Sequence, residues 1–266
     1  MLKHAGMARS TFYYHLKELG NADKHEQLKK DIKLIYNIHK GRFGYRRILL
    51  EVKKKGYQVN HKTIYRLMLE LGLKSLIRVK KYVSYKGEQG KIVPNLLQRN
   101  FKADGPNQKW ATDVTEFRVK DKKLYLSPVI DLFNGEIISY TTSESPNIKQ
   151  VIDMIKKCRR KKKDKKVILH SDQGWQYQMK TYQYILKKKN ITPSMSRKGN
   201  CLDNAIIENF FGTIKSELFY LNKYQSISEL DLDIKEYIRY YNNDRIRLNL
   251  NGMSPIEYRA HSTNLN

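Results

Sequence analysis

The chain reads as an α/β protein in two parts: an all-helical module first, then a mixed sheet flanked by helices. Three observations predict this. Apolar residues recur at helical spacing through residues 22–71, interrupted by glycine-containing turns. Strand-like segments joined by tight polar turns follow from about residue 109. Beyond them helix and strand signals alternate, the order expected of a sheet covered on its faces.

After an N-terminal segment, 1–21, the first helix is predicted over 22–40, with Leu28, Ile32, Leu34, Ile35 and Ile38 as its apolar positions and Gly41 and Gly44 ending it. A second covers Tyr45–Lys55, its core face Ile48, Leu49 and Val52. The turn Gly56-Tyr-Gln-Val-Asn60 places Asn60 to cap a third helix, His61–Leu71, which turns Ile64, Leu67, Met68 and Leu71 inward and stops at Gly72. Two short helices around a glycine turn in a basic setting read as a helix-turn-helix domain, 22–78. Its second helix would enter the major groove. Lys62 and Arg66, four apart on one face, would reach base edges, and Arg46 and Arg47 would hold backbone phosphates. The competing reading is a small bundle for protein contacts whose charges are merely solvated.

Residues 79–106 lack periodicity and carry Lys, Gly, Asn and Pro, so they read as a basic linker. The core is expected over 107–222. Lys109–Lys120, Leu124–Phe133 and Glu136–Thr142 read as strands, with turns at Asp121-Lys122 and Asn134-Gly135. Then come helix Asn147–Arg160, strand Val167–His170, helix Tyr182–Lys189, strand Ile191–Met195 and helix Asn204–Leu221. Residues 223–266 read as a helical extension packed beside the sheet.

The balance of charges narrows the partners. Lys plus Arg number 52 against 26 Asp plus Glu, a net +26 that points to an anionic polymer. A codon bias toward Lys accounts for part of the excess but not for the scarcity of acids. The run Lys156–Lys166 could track a phosphate backbone, or simply end a helix with solvated cations that favour its dipole. No apolar run is long enough to span a bilayer, and no leader with an apolar stretch and cleavage site opens the chain. A cytoplasmic protein with no membrane partner is expected. The two cysteines, Cys158 and Cys201, are too few and too far apart for a thiolate zinc site and read as reduced.

Chemistry concentrates in three words: Trp110-Ala-Thr-Asp113-Val-Thr-Glu-Phe117, His170-Ser-Asp172-Gln-Gly-Trp-Gln-Tyr177 and Asp203-Asn-Ala-Ile-Ile-Glu208-Asn-Phe-Phe. Asp113 is expected inside a strand among apolar neighbours, where a charge is costly without a partner; alone it would be an Asp at a kink, bound to backbone. Asp172 falls at the C-terminal end of an apolar strand, the edge where open α/β sheets bind ligands; alone it could be a helix cap. Glu208, Asn204 and Lys215 share one helix face, opposite the stripe Ile207, Phe211 and Ile214. Lys215 could touch phosphate or be a solvated lysine. Glu217 points elsewhere. His170 could orient Asp172, touch DNA or be structural, and Trp110 and Trp175 are expected to pack the core edge. Two carboxylates about 4 Å apart repel by roughly 4 kcal/mol at an effective dielectric near 20. A fold gathering three needs protons or a divalent cation held by oxygen, and two such ions can clamp an in-line phosphoryl displacement.

Together the three words resemble the integrase core of the DDE transposase and retroviral integrase superfamily, and more narrowly the second-frame product of a bacterial insertion sequence. The resemblance runs from Ala8-Arg-Ser-Thr-Phe-Tyr-Tyr-His15 to Ser254-Pro-Ile-Glu-Tyr-Arg259, and Gly44-Tyr-Arg-Arg47 belongs to it. The zinc-binding His/Cys module of retroviral integrases has no counterpart here. The resemblance implies a ribonuclease H-like sheet and a triad of Asp113, Asp172 and Glu208. Asp113 would bridge two Mg2+ (or Mn2+) ions and the others would each complete one. It implies cleavage freeing a 3′-OH, then strand transfer, on double-stranded DNA carrying terminal inverted repeats and on target DNA. Lys215 would be a DNA contact. A homo-oligomer on DNA, nucleoid association in a bacterium, and fusion to or work with an upstream-frame helix-turn-helix protein are implied as well. Two other functions stay open: a ribonuclease H-like nuclease that never joins, and a non-catalytic DNA-binding regulator.

Overall fold

A computed structural model of the chain describes residues 8–13, 23–76, 93–98, 100–159, 165–197 and 204–264. The remainder of the N-terminal segment, the linker up to residue 92, the middle of the lysine run and Cys201 lie outside the described residues. The chain divides into two compact units, Met1–Ser75 and Leu76–Asn266.

The first unit is built on helices α1 (Glu26–Ile38), α2 (Tyr45–Lys54) and α3 (His61–Glu70). Their core is Leu28, Ile32, Ile35, Phe43, Ile48, Val52, Ile64, Leu67 and Met68, each 4 % exposed or less. Leu34 and Ile38 depart from expectation, being 52 % and 63 % exposed. The buried stripe of α1 continues from Ile35 to His39, one turn on, and leaves Ile38 facing solvent. His39 stacks on Phe43 at 3.7 Å between centroids. Burial, and then the nearby Arg42, Arg47 and Lys54, push its pKa down to about 4. Leu49 and Leu71 are only half-buried. Asn60 caps α3 as expected, its side chain accepting from Lys62 N at 2.9 Å. Gly56, in the turn between α2 and α3, has φ of +91°, a conformation that a Cβ would strain.

The second unit carries a six-stranded sheet: β1 (Lys109–Thr112), β2 (Thr115–Val119), β3 (Lys122–Asp131), β4 (Ile137–Ser143), β5 (Val167–Ser171) and β6 (Ile191–Met195). The single strand expected over Lys109–Lys120 is two. β1 pairs antiparallel with Val129–Asp131, and β2 with Lys122–Leu126. β4 pairs with Tyr125–Ile130. Because β4 occupies one edge of β3, β1 and β2 lie end to end along the other. The break falls at Asp113 and Val114. There the Asp113 Oδ1 accepts from Val114 N at 2.7 Å, taking a donor the ladder would otherwise use. β5 runs parallel to β1, and β6 parallel to β5.

Helices cover both faces. α4 (Ile148–Lys157), α5 (Trp175–Gln178) and α6 (Lys180–Lys188) supply Val151, Met154, Ile155, Tyr177, Tyr182 and Leu186, which pack with Trp110, Val129, Val167, Leu169, Ile191 and Met195. On the other face α7 (Ala205–Glu217) and α8 (Ile227–Asn243) pack with Ala111, Phe117, Val119, Leu124, Leu126 and Ile130. Trp110 and Ala111 thus enter opposite cores, as alternation along a strand requires. β3, covered on both sides, is buried continuously from Leu126 to Asp131. The short helix α5 has no counterpart among the sequence expectations, and the helix expected from Tyr182 begins at Lys180.

Helix α9 (Pro255–Asn264) is tied to the sheet by Arg259, which donates to the fully buried Asp131 at 2.7 Å and reaches Glu136 at 2.9 Å. In the Asn134-Gly135 turn, Gly135 has φ of +74°, and a Cβ there would collide with the Arg247 guanidinium. Among the described residues no helix is long and apolar enough to cross a membrane.

Candidate active site

Asp113 follows β1 directly and Asp172 follows β5 directly. The parallel register pairs Ala111 with His170. Continued two places, it sets Asp113 opposite Asp172 on neighbouring strands. Asp172 Oδ1 folds back to accept from Gly174 N at 2.8 Å. A Cβ on Gly174 would lie 2.9 Å from that same oxygen, so glycine permits this close approach.

Glu208 comes from α7, whose Ile207, Phe210, Phe211 and Ile214 are anchored in the core while Glu208 itself is half-buried. Asn204, at the start of α7, donates from Nδ2 to Asp113 Oδ2 at 3.1 Å. Lys215, a further two turns along, rests its ammonium 5.4 Å from the centre of the Phe117 ring.

The carboxylates act on one another. Burial first, then the charges of Asp172 and Glu208, push the Asp113 carboxyl well above its ordinary range; the Val114 N–H and the Lys215 charge pull the other way. Asp172 is raised by burial against the Gly174 N–H. Glu208 is raised by burial and then by Asp172. Asp113 therefore feels both partners. Among the described residues no three His, Cys, Asp or Glu side chains close on a single point. The three acids form a loose set that carries more negative charge than it can hold unprotonated. That excess, with oxygen donors throughout, fits a hard divalent cation shared pairwise.

Other candidates fall elsewhere. His170 is fully buried with Nδ1 2.9 Å from Ser194 Oγ and its ring edge-on to Phe101, a structural position between β5 and β6. Glu217 is 2 % exposed and held bidentately by Arg245 at 2.6 and 2.8 Å, with Tyr237 OH donating at 2.9 Å. Trp110 is buried as expected. Trp175 is not: its indole is 51 % exposed three residues after Asp172. Sequence reasoning passed over Tyr177, whose fully buried phenol is raised by burial and by the charges of Asp113 and Asp172. Its place in the second word was the available signal.

In the helical unit Lys62 and Arg66 are exposed on α3, and Arg66 pairs with Glu70 at 2.9 Å, which also holds Lys29 at 2.8 Å. Arg46 Nε donates to Tyr45 OH at 3.1 Å, and the Arg47 guanidinium lies 5.5 Å from the Phe43 ring centre.

Comparison with known proteins agrees with this division. An HTH-like domain model matches residues 23–81, and two integrase core domain models match 103–201 and 208–263. The chain is 56 % identical over 260 residues to a putative transposase, InsK, for insertion sequence element IS150 of Escherichia coli (strain K12), spanning 97 % of this chain and 92 % of that one. It is 51 % identical over 207 residues to an uncharacterized transposase-like protein of Haemophilus influenzae, spanning 78 % of this chain and 96 % of that one. The transposase InsF for insertion sequence IS3A of E. coli shares 35 % over 222 residues, 82 % of this chain and 77 % of its own. Among solved structures, the HTLV-2 integrase catalytic core domain in complex with magnesium overlies 59 % of this chain and 98 % of its own at 18 % identity and a TM-score of 0.44. With an HTH-like domain, an integrase core and this identity over nearly its full length, the chain belongs to the insertion-sequence transposases, polynucleotidyl transferases of the DDE type.

Proposed function

We propose that this transposase cuts and joins DNA at the ends of its element with Asp113, Asp172 and Glu208 as the acidic centre. The supporting observation is the juxtaposition at the sheet's edge: two aspartates end adjacent parallel strands, and both their charges and that of Glu208 bear on one another. Asp113, coupled to both others, would be shared between two Mg2+ or Mn2+ ions, with Asp172 on one and Glu208 on the other. When bound, such ions lower the pKa of the attacking hydroxyl and stabilise the leaving oxygen.

The chain's own residues do the rest. Val114 N–H and Asn204 hold the two oxygens of Asp113, and Gly174 N–H holds one of Asp172, so the acids are oriented in advance. Lys215, beside Asp113, would receive a phosphate of the reacting strand. In the helical unit Lys62 and Arg66 would face base edges of the terminal repeats, with Arg46 and Arg47 on the backbone. Both steps are in-line displacements: water frees a 3′-OH, then that hydroxyl attacks a target phosphodiester. A homo-oligomer on the paired ends, working with an upstream-frame helix-turn-helix protein, is part of the proposal.

The test is purified chain with Mn2+ and labelled DNA spanning the element's ends, with Asp172→Asn as control. Specific 3′-OH ends and joined strands, absent from the control, are expected. Nicks without joined strands would replace the proposal with a hydrolytic nuclease. Binding without either product, also when the upstream-frame protein is added, would leave a DNA-binding regulator.

A further inference from the structure

Asn204 occupies the position where other residues of this protein cap their own helices. Asn60 accepts from Lys62 N at 2.9 Å, Asn147 from Gln150 N at 2.8 Å and Ser226 from Glu229 N at 3.2 Å. Asn204 makes no such cap to α7. It is 5 % exposed, yet its Nδ2 turns away from its helix to donate to Asp113 Oδ2 at 3.1 Å. Its Oδ1 is buried and has no hydrogen-bond partner among the described residues. Stability does not account for an amide that forgoes its cap and leaves a buried acceptor unmade, since both choices are unfavourable. Polar groups left in this state in native proteins call for a role beyond packing.

We infer that Asn204 is a positioning residue for Asp113 in cation binding. Val114 N–H fixes one oxygen of that carboxylate and Asn204 the other, so both lone-pair directions are set before an ion arrives. Its Oδ1, next to the carboxylate, stands as an unfilled acceptor for a donor entering with the ion. This inference rests on the reading of Asp113 as a cation ligand. It adds that the affinity of the site is set by an amide that is itself too crowded by Asp113 to be replaced by another acid.

The test is Mn2+ binding to the full chain, followed by the paramagnetic resonance of free Mn2+, for wild type, Asp113→Asn, Asn204→Ala and Asn204→Ser. Serine is a good helix cap, but its shorter side chain carries no amide to reach Asp113. Asp113→Asn should abolish binding. Both Asn204 variants should weaken it about 10- to 100-fold, while melting without metal within a few degrees of wild type. Wild-type affinity in the Asn204 variants, with binding lost in Asp113→Asn, overturns the positioning role and leaves the acidic centre standing. Recovery in Asn204→Ser alone assigns the residue to helix capping and equally overturns it. No Mn2+ uptake by wild type, or undiminished uptake by Asp113→Asn, removes the acidic centre and this inference together.

Discussion

Replacing Asp172 with asparagine should make the protein more stable and inactive. Continuing the β1–β5 register puts Asp113 and Asp172 on neighbouring strands, which lie about 4.8 Å apart. Two unit charges at that spacing repel by roughly 3 kcal/mol at an effective dielectric near 20. Asparagine keeps the acceptor for Gly174 N–H and removes one charge. Lys215 already offsets part of the repulsion at Asp113, and so does partial protonation, leaving a net gain of about 1–2 kcal/mol. For a unit of this size each kcal/mol moves the melting temperature by about 2–4 °C, so a rise of roughly 2–8 °C is expected at neutral pH without metal. The sign follows from linkage. All three carboxyls have folded-state pKa values raised above their unfolded ones. The folded state therefore holds protons that the unfolded state has released, and stability falls as pH rises from the ordinary carboxylate range through the raised values. The gap between variant and wild type should narrow as pH is lowered through that window. Calorimetry in EDTA and then in millimolar Mg2+ reads all of this: Mg2+ should raise the wild-type melting temperature and do much less for Asp172→Asn. A variant that melts below wild type in EDTA, or responds fully to Mg2+, would refute the reasoning.

Arg245→Leu leaves Glu217 buried and unpaired and should cost about 3–5 kcal/mol, read as a lower urea midpoint at unchanged slope; a loss below about 1 kcal/mol would mean that water reaches the pair. Lys62→Ala with Arg66→Ala should weaken binding to the element's ends and flatten its salt dependence, by about 0.9 in log–log slope for each phosphate no longer neutralised. Unchanged footprints would return α3 to a protein-contact role. Of the two tryptophans, Trp110 is sealed and Trp175 exposed. Iodide should quench about half of the indole emission, Trp175→Phe should remove the quenchable part, and DNA seated at the acidic edge should shield it. Quenching that persists in Trp175→Phe would count against this assignment.

What could be read in the sequence was local. Asn60 before His61, Asn134-Gly135 between strands and the apolar run of β5 announce themselves within a few residues, because caps, turns and buried strands are short-range chemistry. Misreadings arose where a second element decides. Ile38 fits the helical period as well as His39 does, and only the packing of α2 and α3 selects the latter. Trp175 looks like core until the four-residue α5, too short to show a period, turns the ring outward. The strand break at Asp113 depends on its carboxylate competing for Val114 N–H, and nothing in the letters distinguishes that from a continuous strand. Asn204 could be placed on the Glu208 face by counting, but its turn toward Asp113 joins positions 91 residues apart.

The Arg259 link bears on when the enzyme becomes competent during synthesis. Asp131 is buried opposite Trp110, in the ladder that carries β1 to Asp113, and its cationic partner lies in the last helix. Until the ribosome has released Arg259, a nascent chain holds a buried carboxylate without its guanidinium beside the strand on which the acidic edge is built. Assembly of that edge is thereby deferred to completion of the polypeptide, and a fragment stalled or cleaved upstream of α9 is poorly placed to cut the chromosome from which it was transcribed.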